Sequence, residues 1–251
     1  MMRIDLNSDL GESSAARRFD DAAVLAAVSS ANVACGFHAG DPRGIRDTCR
    51  LAVDRGVVVG AHPGYRDLEG FGRRILDLDL GELTDEVIYQ VGAVQALARS
   101  VGGEIRYVKP HGGLYNAIAV REDQARAVVR ALVELDGGAL PLLVLRGSVI
   151  ERVAQEAGVA TITEAFADRG YLPDGTLVPR GQPGALLDPA RAVEQAVRIA
   201  TDRRLIAVDG TTLDIEADTI CLHGDSPTAV QLAGEIRGGL ERVGVEIRSF
   251  V

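Results

Sequence analysis

The feature that most constrains the fold is a regular alternation of short apolar runs with longer amphipathic segments along the whole chain. Several runs are nearly continuous in valine, leucine and isoleucine, which is typical of strands buried on both faces of a parallel sheet. The predicted strands are residues 3–7, 32–37, 57–61, 104–109, 140–145, 159–164 and 219–222. The predicted helices lie near residues 20–30, 43–55, 84–101, 122–135, 148–157, 189–201 and 227–243.

About seven β-α units of this kind predict one α/β domain over residues 1–251, with a parallel sheet that can close into a barrel. Asp209-Gly210, between two short apolar runs, predicts a hairpin within the last unit, and residues 245–250 read as a further strand. The connections 63–83 and 165–187 are unusually long for a compact α/β domain, and loops of this length usually carry function.

Composition excludes several classes of protein. The 251 residues include 27 basic and 36 acidic side chains, and the net charge of −9 argues against nucleic acid as a partner. We find no apolar run near the roughly 18–20 residues of a membrane span, and the first residues lack the pattern of a signal peptide. Three cysteines without a CxxC spacing favour reduced thiols and a cytoplasmic location.

All four histidines follow predicted strands, and each is followed by a glycine within two residues. They are His38, His62, His111 and His223. In parallel α/β folds, functional sites assemble at the carboxyl ends of the strands. A single histidine there is usually structural, but four at one edge indicate a site.

Carboxylates join the same edge. Asp9 and Glu12 follow the first strand, Glu164 and Asp168 lie at the end of the sixth, and Asp225 comes two residues after His223. Asp225 reads equally well as a helix N-cap, whereas Asp9 and Glu12 lie too far before the next helical pattern to be caps.

Lys109 is the only lysine among the 27 basic residues, and it precedes Pro110-His111. In a chain that uses arginine everywhere else, a retained lysine indicates a role that guanidinium cannot perform. A compact charge in a tight pocket and a tunable proton donor are both candidates.

Histidine and aspartate at the ends of adjacent strands are typical ligands of Zn²⁺ or a similar ion. Asp9, His38 and His62 form the best candidate set, although the spacing of a known metal motif is absent and the sequence leaves the metal open. The chain also lacks the Gly-x-Ser-x-Gly turn of serine hydrolases and the Gly-x4-Gly-Lys-Ser/Thr loop that binds nucleotide phosphates.

Several long motifs together closely resemble the LamB/YcsF family over essentially the whole chain. These motifs are Ile4-Asp5-Leu6-Asn7-x-Asp9-Leu10-Gly11-Glu12, the stretch 30–42, Gly60-Ala61-His62-Pro63-Gly64-Tyr65, the stretch 70–74, Val108-Lys109-Pro110-His111-Gly112-Gly113-Leu114-Tyr115-Asn116, Glu164-Ala165-Phe166-Ala167-Asp168-Arg169, Leu177-Val178-Pro179-Arg180 and Cys221-Leu222-His223-Gly224-Asp225.

The resemblance implies a distorted seven-stranded β/α barrel like that of the polysaccharide deacetylase superfamily. It implies an ATP-dependent 5-oxoprolinase activity, the cleavage of 5-oxo-L-proline to L-glutamate. ATP with Mg²⁺ would act through a complex with two partner subunits, B and C. Assembly of the chain with itself stays open.

Opening an unstrained lactam needs a base for water, donors for the oxyanion, a proton for the leaving nitrogen and a cation for the substrate carboxylate. The candidate catalytic residues are Asp9, Glu12, His38, His62, Lys109, His111 and His223. Asp9 with His62 or His38 would activate water, and Lys109 with His111 would stabilise the oxyanion or a phosphate. The candidate substrate-binding residues are Asn116, Glu164, Asp168, Arg169, Arg180 and Asp225, with Arg180 or Arg169 pairing with the carboxylate.

Two other functions compete with this interpretation. The chain could be a stand-alone, metal-dependent amidase or deacetylase that needs no ATP, or a non-catalytic regulatory or carrier subunit. So many titratable groups at one edge argue against a pure scaffold.

Overall fold

A computed structural model describes residues 2–14, 18–222 and 229–251. Seven parallel strands form a closed barrel in the order β1-β2-β3-β4-β5-β6-β9, closed by pairing of β9 with β1. An eighth strand, β10, pairs in parallel with the start of β1. The strands are β1 Met2–Leu10, β2 Ser30–Ala34, β3 Val58–His62, β4 Ile105–Val108, β5 Leu142–Leu145, β6 Thr161–Phe166, β7 Arg204–Ile206, β8 Thr212–Asp214, β9 Thr219–Leu222 and β10 Val245–Ile247. The predicted seven-stranded β/α barrel is confirmed.

Helices surround the barrel because the crossover between parallel strands returns over the outer face of the sheet. They are α1 Asp21–Val24, α2 Pro42–Asp54, α3 Leu80–Arg99, α4 Gly112–Val120, α5 Glu122–Asp136, α6 Val149–Glu156, α7 Pro189–Asp202 and α8 Ala229–Arg242. Asp41 and Asp188 cap α2 and α7, and a proline follows each cap at the first helical position. Among the described helices, none is long and apolar enough to cross a membrane.

The structure differs from the sequence prediction in several places. Strand β1 runs to Leu10 and does not end at residue 7, so Asp9 lies within the strand and not after it. Helix α1 has only four residues, because the chain turns early and enters β2 at Ser30. Strand β2 ends at Ala34, and a turn follows in which Gly36 adopts a φ of +87°. Helix α4 was not predicted as a separate element; the extended Arg121 divides it from α5. The predicted hairpin of β7 and β8 is confirmed.

Alternate side chains of β1 face two different environments. Leu6 and Leu10 point outward and belong to the hydrophobic core between barrel and helices. Asp5, Asn7 and Asp9 point inward, where Asp5 accepts from Ser30 and Asn7 accepts from Asn32. The inside of the barrel is therefore polar, and the apolar core forms a shell around it.

A register irregularity between β3 and β4 brings Tyr107 into the barrel, where its ring lies against Gly60. A Cβ at Gly60 would overlap that ring, so the backbone approach requires glycine. The Tyr107 hydroxyl donates to Asn32 Oδ1 at 2.7 Å.

Candidate functional site

Four residues meet at the carboxyl ends of β1 to β4. Glu12 follows β1, His38 follows β2, His62 ends β3 and His111 follows β4; all four are buried. One ligand atom from each lies within 4.8 Å of the others. His62 Nε2 is 3.0 Å from His111 Nδ1, while Glu12 Oε1 is 3.3 Å from His38 Nε2 and 3.5 Å from His111 Nδ1. We refer to these four residues as the histidine cluster.

Backbone carbonyls determine which nitrogens of this cluster carry protons. His62 Nδ1 lies 2.7 Å from the carbonyl of Lys109, and His111 Nε2 lies 2.8 Å from the carbonyl of Phe71. A carbonyl oxygen only accepts, so each of these nitrogens carries a proton. With one proton on each ring, the two nitrogens that face each other at 3.0 Å, His62 Nε2 and His111 Nδ1, both present lone pairs. A cation between them would remove this conflict.

The cluster fits a divalent metal on two further grounds. Burial and the neighbouring histidines lower the pKa of His38 and His111 well below the usual value, so both rings are neutral, as metal ligands must be. Four ligands bound tetrahedrally at 2.0–2.1 Å lie about 3.3 Å from one another, and three pairs of ligand atoms in the cluster lie 3.0, 3.3 and 3.5 Å apart. Imidazole with one carboxylate is a donor set suited to Zn²⁺ and similar ions.

The connection between β3 and α3 closes over the cluster. Phe71 has a φ of +55°, a strained value for a residue that is not glycine, and its ring stands edge-on to the rings of His38 and His111. A Cβ at Gly72 would lie 2.6 Å from His38 Cβ, so the loop approaches too closely for any other residue. Two cavities, of about 210 and 320 Å³, lie on α7 and at the opposite end of the barrel, and neither contacts the cluster.

Lys109 is the centre of a second group of polar side chains beside the cluster. Its Nζ lies 2.9 Å from Glu164 Oε1, 3.2 Å from Asp9 Oδ1, 3.1 Å from Asn7 Oδ1 and 2.9 Å from Cys221 Sγ. Burial alone would lower the pKa of Lys109, but the carboxylates of Asp9 and Glu164 raise it well above the usual value. The ammonium therefore stays charged, and a substrate could reach its protons only by displacing one of these acceptors.

The polar interior continues from Lys109 toward the other end of the barrel. Asn7 Nδ2 donates to Glu164 Oε1 at 2.9 Å and to Thr219 Oγ1 at 2.7 Å, and Thr219 donates in turn to Asp5. Burial raises the pKa of Asp5 to about 6, although hydroxyl donors such as Ser30 oppose the shift.

Asp9 links the two groups. Its Oδ2 is 3.3 Å from His62 Nε2, while its Oδ1 accepts from Lys109 and, at 2.8 Å, from Asn32 Nδ2. The sequence named Asp9, His38 and His62 as the metal set. The structure gathers His38 and His62 with Glu12 and His111, and places Asp9 at the border of that cluster.

The candidate substrate-binding residues are more dispersed. The guanidinium of Arg169 is buried and donates to the carbonyls of Val178 at 2.7 Å and Ala185 at 3.0 Å, so it organises the long loop after β6. Asp168 is buried in the same loop, and Arg180 is exposed on it. Asn116 is exposed on α4. His223 and Asp225 lie outside the described residues.

Sequence reasoning missed Asn7, Asn32, Tyr115 and Cys221 as members of the polar interior. A signal was available for Asn7, because it shares the strand parity of Asp9 and so faces the same side of β1. For Cys221 the sequence predicts only a reduced thiol. The structure shows a buried free thiol beside Lys109, and burial raises its pKa well above the usual value.

A closed parallel barrel with histidines and carboxylates gathered at the carboxyl ends of its strands defines an enzyme of the β/α-barrel class. Residues 4–251 match the LamB/YcsF family, and the chain belongs to that family. It is 57% identical over 252 residues to a protein of Kocuria rhizophila that is named as the A subunit of 5-oxoprolinase, with both chains fully covered.

Solved structures agree with this assignment. The crystal structure of a lactam utilization protein from Thermus thermophilus is 44% identical, with a TM-score of 0.93, and covers 99% of this chain and 100% of the other. A family 4 carbohydrate esterase from Streptomyces lividans shares the fold at 12% identity, with a TM-score of 0.50, over 100% of this chain and 93% of the other. The expected likeness to the polysaccharide deacetylase fold is confirmed.

Proposed function

We propose that this chain is the A subunit of a 5-oxoprolinase, which opens 5-oxo-L-proline to L-glutamate with hydrolysis of ATP. Relatives at 50–57% identity carry that name, and the structural neighbour at 44% identity is named for lactam utilization. The observation that carries the proposal is the position of Asp9, whose two oxygens face the histidine cluster on one side and Lys109 on the other.

The chemistry of the lactam explains why ATP is needed. A five-membered lactam is an unstrained amide, so its hydrolysis needs an activated carbonyl as well as a positioned water. In our proposal the amide oxygen takes the γ-phosphoryl group of ATP with release of ADP, and water then adds to the activated carbon. The C–N bond breaks as the ring nitrogen takes up a proton, and a second water hydrolyses the resulting γ-glutamyl phosphate to glutamate and phosphate. ATP with Mg²⁺ is engaged through a cytoplasmic complex with subunits B and C.

Asp9 is the general base in this proposal. Lys109 and Asn32 both donate to its Oδ1, and Oδ2 is directed toward His62, from where it can accept a proton from water. Positioned proton transfer of this kind contributes roughly 10²–10⁴-fold to a rate. Lys109 keeps Asp9 oriented, and its charge offsets the negative charge that accumulates as the lactam opens.

Glu12, His38, His62 and His111 would hold a divalent metal, and such an ion would supply a Lewis acid that polarises a carbonyl or a water molecule. The chain's own part is to fix the ligands: the carbonyls of Lys109 and Phe71 orient two of the rings, as outer-shell partners do in metal sites. Arg180, exposed on the long loop after β6, is the proposed partner of the substrate carboxylate.

Reconstitution tests the function. We expect the chain mixed with subunits B and C to form glutamate from 5-oxoproline only when ATP and Mg²⁺ are present. Asp9→Asn should lower kcat at least 100-fold, whereas Asp47→Asn, at an exposed carboxylate paired with Arg50, should leave it unchanged. Absence of glutamate from the complete wild-type mixture would contradict the proposal.

The metal is tested by titrating Zn²⁺ into chelator-treated chain in a calorimeter. We expect one equivalent to bind the wild type, and a 10- to 100-fold or greater loss of affinity in His62→Ala. Arg106→Ala, far from the cluster on the outer side of β4, is the control. Equal affinities in all three proteins would show that the cluster does not bind the ion.

The histidine cluster also supports a second candidate function, that of a stand-alone metal-dependent amidase or deacetylase. The shared fold of the carbohydrate esterase and the metal-like donor set favour it. The two functions separate cleanly, because amide hydrolysis by the isolated chain without ATP, abolished by a chelator, is expected only of the second.

A further inference from the structure

Two buried polar atoms beside Lys109 have no hydrogen-bond partner among the described residues, Glu164 Oε2 and the hydroxyl of Tyr115. Glu164 is 1% exposed and Tyr115 is 6% exposed, so water does not reach either side chain freely. Buried polar groups in native proteins are almost always paired. An unpaired acceptor and an unpaired donor in one region therefore indicate a ligand that supplies the complement of both.

The two side chains belong to the same part of the barrel. Glu164 and Phe166 are two residues apart on β6, so their side chains share a face of the strand. The Tyr115 ring stands edge-on to the Phe166 ring at 5.9 Å, and Lys109 Nζ lies 5.5 Å from the centre of the same ring. Burial raises the pKa of Tyr115 well above its usual value, and the nearby carboxylate of Glu164 raises it further.

Glu164 is oriented so that one oxygen remains for a ligand. Asn7 Nδ2 and Lys109 Nζ both approach Oε1 at 2.9 Å. Lys109 balances the charge of the carboxylate, and Oε2 remains an acceptor. The Tyr115 hydroxyl is a donor. The rings of Tyr115 and Phe166 are the apolar neighbours of these two polar atoms, which suits a small ring.

We propose that Glu164 and Tyr115 bind the amide edge of the lactam, with the ring N–H donating to Glu164 Oε2 and the Tyr115 hydroxyl donating to the ring carbonyl. This rests on the proposed function and adds the basis of its substrate selection. A five-membered ring forces the amide to be cis, so its N–H and C=O lie on the same side. Acyclic secondary amides are almost always trans and present the two groups on opposite sides.

Glu164 and Tyr115 also exclude one position for the substrate carboxylate. A second carboxylate against Glu164 would bring like charges together, so the carboxylate of 5-oxoproline must point away from this pair. An ammonium ligand would satisfy Glu164 but leave the Tyr115 donor unpaired. Small cyclic secondary amides are the ligand class that satisfies both.

The test measures binding to the full chain by calorimetry and turnover by the chain with subunits B and C. The probes are 5-oxoproline, N-methyl-5-oxoproline, which lacks the ring N–H, and N-acetylglycine, an acyclic amide with a carboxylate. We expect both analogues to bind at least 100-fold more weakly than 5-oxoproline. Tyr115→Phe should weaken 5-oxoproline binding and lower kcat/KM about 5- to 10-fold. Tyr89→Phe makes the same change at an exposed tyrosine and should alter neither.

Each outcome decides one point. Equal binding of 5-oxoproline and N-methyl-5-oxoproline, or unchanged binding and kcat/KM in Tyr115→Phe, overturns the assignment of the pair while leaving the 5-oxoprolinase function intact if glutamate still forms. If the wild-type complex forms no glutamate, the proposed function fails, and the binding measurement still decides whether the chain recognises a cis amide. Failure of the chain to bind any lactam overturns the inference.

Discussion

Replacing Lys109 with methionine should cost this chain more stability than loss of any surface ion pair. The ammonium is 2.9 Å from Glu164 Oε1 and 3.2 Å from Asp9 Oδ1, and the exposed fractions of the Lys109, Glu164 and Asp9 side chains are 3%, 0% and 11%. At an effective dielectric constant of about 20, each contact is worth roughly 5 kcal/mol before the cost of burying the charges is counted. Removing one partner of a buried pair usually costs about 3–5 kcal/mol net, and we expect Lys109→Met to fall in that range.

The assay is urea denaturation of the isolated chain at pH 7.5, which gives the free energy of unfolding from the midpoint and slope. Arg106→Met is the matched control, because it removes a cation paired with Glu104 at 2.7 Å on the exposed side of the same strand. That pair is half exposed, so its loss should cost less than about 1 kcal/mol.

A double mutant separates the ion pair from simple packing. The double variant Lys109→Met/Glu164→Gln should lose about 2 kcal/mol or more less unfolding free energy than the sum of the two single losses. The reason is that Glu164→Gln removes one of the carboxylates that Lys109→Met leaves without a cation. The reasoning is refuted if Lys109→Met costs no more than Arg106→Met, or if the two single effects simply add.

Three further predictions concern the barrel and its long loop. The folded-state pKa of Asp5, about 6, lies above its ordinary 3.8, so the free energy of unfolding should fall by about 3 kcal/mol as pH rises from 4 to above 6. Asp5→Asn should flatten that pH dependence when it is measured by urea denaturation. Gly60→Ala should lower the free energy of unfolding by about 1–3 kcal/mol or more through overlap with the Tyr107 ring, while Gly92→Ala, with open space around it, should be neutral or slightly stabilising. Arg169→Met should speed proteolytic cleavage within residues 170–187 several-fold, because two carbonyls lose a charged donor. The circular dichroism spectrum should stay unchanged, and unchanged cleavage would contradict this role.

The barrel and its functional edge were predictable because both depend on local pattern. Continuous apolar runs between amphipathic segments predict parallel strands, and parallel strands bring their carboxyl ends to one side. The pattern predicts that His38, His62 and His111 lie at one edge, and the described structure places their rings in one cluster.

The features that the sequence did not predict depend on how deep a side chain lies in the barrel and on contacts between segments that are distant along the chain. Asp9 lies within β1 and Glu12 lies two residues past its end, and this difference decides which of them completes the histidine cluster. A strand pattern contains no such measure. A local pattern also does not predict the burial of Tyr115, because that burial depends on Phe166, 51 positions further along the chain.

The same parity that places Asp5, Asn7 and Asp9 inside the barrel also governs how the chain finds its register. A slip of β1 by one residue against β2 or β9 would turn these three side chains into the apolar shell and bring the neighbouring leucines against Lys109. Each misplaced polar group would lose its hydrogen-bond partners in an environment without water. A one-residue slip therefore costs more free energy in this barrel than it would in a barrel with an apolar interior. The polar interior therefore selects one strand register during folding. Apolar replacements there should allow other strand alignments to compete, in addition to changing the functional site.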